Sequence, residues 1–204
     1  MLSIQKIKHI IFDFDGVIVD SERRKFSNLQ EILKEYNYDL QNSEFLNFIG
    51  KKRGAFLKEK KLRDVNQIME KVHEKDMKFN SFSLVEDIKE LLQFLKKKHI
   101  FCHIATGSSK LFVNSILKKY ELLYYFTHII SGDDIEQSKP NPAVYEEMKK
   151  RIACNDLIVI EDSPAGVLAA KRAQLFVIGL GENLNADREF STIKEFLDFL
   201  KNQE

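Results

Sequence analysis

Two aspartates stand two residues apart at the end of a short apolar run, in His9-Ile10-Ile11-Phe12-Asp13-Phe14-Asp15-Gly16. Alternation along a strand would aim Asp13 and Asp15 to the same side. Neighbouring carboxylates at the end of a buried strand lose hydration and repel one another. They coexist if a divalent cation neutralises them or if one keeps its proton, and either condition points to chemistry. The plainer alternative is a strand end with two solvated acids and a glycine turn. Three more apolar runs end in polar groups: Ile100–Ala105 in Thr106-Gly107-Ser108, Thr127–Ile130 in a loop carrying Lys139, and Leu157–Ile160 in Glu161-Asp162.

Ligands of open parallel sheets bind at the carboxyl ends of the strands. If these runs are such strands, four carboxylates, a lysine and a hydroxyl beside backbone amides share one rim. Thr106, Ser108 or Ser163 alone could be a helix cap, but capping does not account for the whole set. Each member has a place in phosphoryl transfer. A carboxylate can attack phosphorus and form an acyl phosphate. A hard cation with oxygen ligands, most naturally Mg²⁺, screens that carboxylate from an anionic substrate. Lys139 and Thr106, with the amides of Gly107 and Ser108, can hold the equatorial oxygens. Asp15 suits the general acid and base, since a charged neighbour favours its proton.

The elements that must position these groups follow from periodicity. Apolar runs at residues 9–14, 100–105, 127–130, 157–160 and 175–178 read as strands, the last of them the final strand. Helical spacing covers residues 84–97, 111–120, 144–151, 165–172 and 193–201 between and after them. The alternation predicts an α/β fold with a Rossmann-like parallel sheet and helices on both faces. Residues 21–82 break the alternation after the first strand with helical patterns only, such as Phe26, Leu29, Leu33 and Tyr36. The expected division is a core of residues 1–20 and 83–204 and an inserted small helical domain of residues 21–82, with hinges near Asp20-Ser21 and Asn80–Ser83. Gly179-Leu180-Gly181 reads as a loop, because no helix follows directly.

Composition narrows the function classes. The 204 residues carry a net charge of +1, which makes no general case for nucleic acid or membrane as a partner. No apolar run approaches the roughly 18 residues of a membrane span. Cys102 and Cys154 lack metal-ligand spacing and read as reduced core residues, and His9, His73, His99, His103 and His128 show no zinc-type spacing. No secretory signal precedes Lys6 and Lys8, so the expected compartment is the cytoplasm. The expected assembly is a monomer or weak homo-oligomer.

The motifs Asp13-Phe14-Asp15-Gly16-Val17, Thr106 in IATGSS, Lys139 in SKPNP and Glu161-Asp162 in VIEDSPAG come in one order along the chain. In that order they resemble the haloacid dehalogenase superfamily, in the subgroup similar to β-phosphoglucomutase and phosphoglycolate phosphatase. The resemblance implies that Asp13 is the nucleophile and Asp15 the general acid and base. It implies Mg²⁺ held by Asp13, the Asp15 main-chain carbonyl and Asp162, with Glu161 as a ligand or just behind one. It implies phosphate contacts from Thr106 and Lys139, and a helical cap, residues 21–82, that closes over the site and selects the substrate.

Within that resemblance, an aspartate at position 15 favours phosphate-ester chemistry over carbon–halogen or carbon–phosphorus cleavage. The β-phosphoglucomutase pattern has a histidine twelve residues after the nucleophile, where this chain has Lys25, and a lysine before the cap glycine, where it has Ile49. Only the arginine of Gly50-Lys51-Lys52-Arg53 agrees. The expectation is therefore a Mg²⁺-dependent phosphatase for a small phosphorylated metabolite, a sugar phosphate in particular. Lys25 and Arg53 would meet a second anionic group. A hexose phosphate mutase is the alternative, and a phosphoaspartyl signalling module the more distant one.

Overall fold

A computed structural model describes residues 7–48, 53–76, 82–154 and 157–203. The chain divides into two compact units, one of Met1–Val19 with Leu84–Glu204 and one of Asp20–Ser83. Strand β1 (His9–Phe12) lies in the first unit, and β2 (Val19–Asp20) spans the point where the chain passes into the second. The second unit holds α1 (Ser21–Lys34), a 3-10 turn at Asn42–Glu44, α2 (Phe45–Phe48), α3 (Arg53–Glu59) and α4 (Val65–Asp76). Strand β3 (Ser83–Leu84) leads back and pairs with β2 in a two-stranded sheet. The first unit then continues through α5 (Ile88–Lys97), β4 (Phe101–Ala105), α6 (Lys110–Lys119), β5 (Phe126–Ile130), α7 (Ala143–Ile152), β6 (Leu157–Glu161), α8 (Pro164–Arg172), β7 (Phe176–Leu180), β8 (Arg188–Phe190) and α9 (Ile193–Lys201).

The first unit is an α/β fold built on a six-stranded sheet of order β5-β4-β1-β6-β7-β8. Every adjacent pair is parallel. Ile10, Ile11 and Phe12 of the central β1 are fully buried, as a strand covered on both faces requires. Each such side chain stabilises the fold by about 1.5–3 kcal/mol. Ile11, Ala105, Val159 and Val177 face Val144, Tyr145 and Met148 of α7 and Val167 and Ala170 of α8 in one core. On the other face α5 packs on β4 and against α9.

The alternation of strands and helices is as expected, with four differences. Strand β1 stops at Phe12, so the turn after it, not the strand, carries Asp15. Strand β7 is not the last one, since the three-residue β8 adds a further parallel neighbour. Gly179 and Leu180 are the end of β7 rather than loop. Helix α5 also starts four residues later than the apolar spacing implies, because Asp87 just before it is left-handed (φ 62°). No helix among the described residues is long and apolar enough to cross a membrane.

The second unit packs around Phe26, Leu29 and Leu33 of α1, Phe48, Phe56 and Leu57, and Ile68 and Val72 of α4. Phe26–Phe48 and Phe48–Phe56 meet edge-on at 5.2 and 5.5 Å, an arrangement that favours the ring quadrupoles.

Candidate active site

Register brings the chemistry together. Phe12 pairs with Ile104 on one side and with Ile160 on the other, so β1, β4 and β6 end level. The next residues, Asp13, Ala105-Thr106 and Glu161-Asp162, therefore occupy one rim. The Asp13 amide extends the ladder by donating to the Ile160 carbonyl at 2.9 Å, and the Thr106 amide donates to Ile130 at 3.0 Å. Beyond Asp13 the chain folds back: the Ile18 and Val19 amides both donate to Phe14 O, and the Gly16 amide donates to Val19 O. Gly16 has φ +79°, and a Cβ there would fall 1.7 Å from Asp162 Oδ2, so only glycine lets the turn lie against that carboxylate.

Lys139 binds the rim together. Its ammonium donates to Asp13 Oδ1 at 2.5 Å, to Glu161 Oε1 at 2.6 Å and to the Ala105 carbonyl at 3.1 Å, matching its three protons with three acceptors. Burial works against the charged lysine, but Asp13 and Glu161 overcome it and hold the ammonium proton well above the usual lysine range. Glu161 is fully buried. Its Oε1 also accepts the Tyr145 hydroxyl at 2.5 Å, and its Oε2 accepts the Ser163 hydroxyl at 3.1 Å. Ser163 is at the same time the N-cap of α8, accepting the Gly166 amide. A Cβ on Gly166 would lie 1.9 Å from Glu161 Oε1.

On the other side of Asp13, the buried Thr106 accepts the Ser108 amide at 3.0 Å through Oγ1. The Ser108 hydroxyl donates to Asp15 Oδ2 at 2.5 Å. The Ser108 amide is thus engaged within its own turn, while the Thr106 hydroxyl keeps a proton to offer an oxyanion. Among the described residues nothing lies within 4 Å of where a Gly107 Cβ would sit.

Charge sets the demand for a cation. Oxygens of Asp13, Glu161 and Asp162 lie within 4.8 Å of one another, with Lys139 the positive group bonded among them. Burial raises the Asp13 carboxyl most, Lys139 draws it back, and Glu161 and Asp15 push it up again, leaving it at about 7. Burial likewise lifts Asp162 well above the carboxylate range, with Asp13 next in effect. A second cation with hard oxygen ligands would relieve this excess, and the all-carboxylate donor set fits Mg²⁺.

The first unit therefore gathers Asp13, Asp15, Thr106, Gly107, Ser108, Lys139, Glu161 and Asp162. Lys25 and Arg53 belong to the second unit. Lys25 donates to Glu22 at 2.9 Å; the Arg53 side chain, and Gly50 to Lys52 of its motif, lie outside the described residues. Tyr145 and Ser163 are additions to the set read from sequence. A tyrosine on the buried face of α7 was the available signal for the former, since a buried phenol needs a hydrogen-bond partner.

The model of the family described as haloacid dehalogenase-like hydrolase matches residues 10–180. The phosphorylated carbohydrates phosphatase of Thermotoga maritima is 27% identical over 186 residues, covering 86% of each chain. The (DL)-glycerol-3-phosphatase 2 of Arabidopsis thaliana is 29% identical over 189 residues, covering 84% of this chain and 78% of its own. Among solved structures, CbbY from Rhodobacter sphaeroides in complex with phosphate superposes with a TM-score of 0.71 at 20% identity, over 93% of this chain and 96% of that one. With a sequence match that runs from the first core strand through β7, the chain belongs to the haloacid dehalogenase-like hydrolases.

Proposed function

We propose that this hydrolase is a phosphatase that cleaves a small phosphorylated carbohydrate or polyol through a phosphorylated Asp13. The observation that carries the reading is the Lys139 ammonium bridging Asp13 and Glu161 in a cluster completed by Asp162. Asp13, Asp162 and the Asp15 main-chain carbonyl would hold Mg²⁺, with Glu161 beside them. When bound, the metal screens the attacking carboxylate from the anionic phosphate.

The chain's own groups divide the remaining work. Asp13 Oδ attacks phosphorus while the bond to the ester oxygen breaks. Asp15, entering protonated, gives its proton to the departing alkoxide, so a free alcohol leaves. It then takes a proton from the water that attacks the acyl phosphate, which releases inorganic phosphate and restores both carboxyl groups. Lys139 and the Thr106 hydroxyl, with the turn at Gly107 and Ser108, hold the equatorial oxygens as their charge shifts. Residues 21–82 serve as the selecting cap, with Lys25 and Arg53 as candidate contacts to a second anionic group.

The relatives support the substrate class, one being named for phosphorylated carbohydrates and another for glycerol 3-phosphate. The test is phosphate release from a panel of sugar and polyol phosphates at fixed Mg²⁺, with isomerised sugar phosphate measured in parallel. Release from at least one of them, lost in Asp13→Asn, is expected. Isomerisation without net release would make the protein a mutase instead. Exchanging Lys25 should change the preference among substrates more than the rate on a small generic ester.

A further inference from the structure

Among the described residues Tyr145 is the largest fully buried side chain, and its ring belongs to the apolar core under α7. Its hydroxyl nevertheless leaves that core and donates at 2.5 Å to Glu161 Oε1, the oxygen that also receives Lys139. The Lys139 ammonium in turn stands 4.9 Å from the centre of the Tyr145 ring, within cation–π range. One side chain thus touches both the acid and the base that surround the proposed nucleophile. A carboxylate oxygen accepts, so at this distance the phenol is the donor.

We propose that Tyr145 is a positioning residue that balances Lys139 between Glu161 and Asp13, an inference that rests on the phosphatase reading above. Glu161 is fully buried and can be neutralised only by its neighbours. The phenol proton supplies part of that neutralisation, and Ser163 supplies more on the other oxygen. Lys139 is then not drawn wholly onto Glu161, and its ammonium stays 2.5 Å from Asp13, where a transferred phosphoryl group would need it. Without the hydroxyl, Glu161 retains Lys139 more tightly and the oxyanion loses its cationic partner. The aromatic face limits where the ammonium can go. A phenylalanine would keep this face and lose the bond; a leucine would lose both.

The experiment is thermal unfolding of the full chain, titrated with fluoroberyllate at saturating Mg²⁺, for wild type, Tyr145→Phe, Tyr145→Leu and Val144→Ala. Val144 is equally buried on the same helix and has no polar contact, so Val144→Ala reports on packing alone. The expected result is a roughly tenfold weaker fluoroberyllate midpoint for Tyr145→Phe and a larger loss for Tyr145→Leu. Val144→Ala should melt earlier but keep its midpoint within about twofold of wild type. In turnover, Tyr145→Phe should lower kcat more than it raises KM. An unchanged midpoint in Tyr145→Phe, or an equal shift in Val144→Ala, overturns the role of Tyr145 and leaves the phosphatase reading intact. A wild type that fluoroberyllate does not stabilise at all overturns both.

Discussion

Lys139 and Asp13, 126 residues apart in the chain, meet at 2.5 Å on the carboxyl rim of the sheet. The pair has a stability consequence separate from the proposed chemistry. Lys139→Met removes a buried ammonium and leaves Asp13 and Glu161, both almost inaccessible, without their cation. Breaking a buried pair from one side costs about 3–5 kcal/mol, because the remaining charge keeps its desolvation penalty. Urea unfolding near neutral pH, in EDTA, should show that loss. A midpoint equal to wild type would mean the carboxylates are not charged in the fold.

Asp13→Asn should abolish turnover while leaving the fold intact, since the amide keeps the shape and removes one of the crowded negative charges. Asp15→Asn should slow both the release of alcohol and the hydrolysis of the proposed acyl phosphate, by about 10²–10⁴-fold. Rapid-quench measurement of alcohol and phosphate separates the two steps. An unaffected rate in Asp15→Asn would move the acid and base role elsewhere.

Much of this site was legible because three apolar runs feed directly into their polar residues, and parallel register makes those runs end level. That geometry places the carboxylates and Thr106 at one rim, with Lys139 in the loop after β5; which of them hold metal and which hold phosphate is what the family resemblance implies. Other features depend on tertiary contact. Strand β8 is three residues, Arg188-Glu189-Phe190, with one buried side chain, too short to show alternation. Gly179 stays in a strand because Glu161 pairs with it and Leu184 and Ala186 crowd the space beside it. Tyr145 has the spacing of an ordinary core residue; only its hydroxyl partner distinguishes it. Lys25 has a partner, Glu22, three residues earlier on its own helix, and nothing in its spacing names a ligand.

If the proposed site holds Mg²⁺, the ion stabilises the folded state by mass action. At a hundredfold excess over its dissociation constant the gain is about 2.7 kcal/mol, which in a chain of this size raises Tm by about 5–10 °C. Scanning calorimetry in EDTA and in excess Mg²⁺ should show that rise for wild type and little of it for Asp162→Asn. Equal melting with and without the metal in wild type would remove Mg²⁺ from the site.

Two glycine-to-alanine changes in helices should have opposite signs. On helix propensity alone each would stabilise by up to about 1 kcal/mol. Among the described residues nothing lies within 4 Å of the added methyl at Gly54 in α3, so that gain should be realised in part. In α8 the methyl of Gly166→Ala would overlap the buried Glu161 carboxylate, with atoms at 1.9–2.1 Å. Overpacking of that kind costs about 1–3 kcal/mol and would also displace the partner of Lys139. Urea midpoints for both variants, with the rate for Gly166→Ala, test the claim. A stabilised and fully active Gly166→Ala would contradict the packing of Glu161 described above.

Acid should weaken the fold through a histidine ladder across three neighbouring strands. His9 of β1, His103 of β4 and His128 of β5 stack with ring centres 5.4 and 5.3 Å apart, and His9 Nδ1 lies 3.2 Å from His103 Nε2. His103 is 1% exposed, and its Nδ1 has no hydrogen-bond partner among the described residues. Burial, reinforced by His9 and His128, pushes His103 down from 6.5 to about 3. Burial lowers His9 in the same sense, with His128 second. Below pH 6.5 the unfolded chain protonates His103 while the folded chain does not. The unfolded state then binds more protons, and stability falls as pH drops from 6.5 toward 3. At about 1.4 kcal/mol per pH unit, His103 alone should cost roughly 2 kcal/mol between pH 8 and pH 5. His103→Phe keeps an aromatic ring in the stack and removes the titration. Its urea stability should therefore drop by about 2 kcal/mol less than wild type over that interval. The carboxylates of the active-site rim titrate in both proteins and cancel in the comparison. Equal losses in the two proteins would place the proton uptake elsewhere.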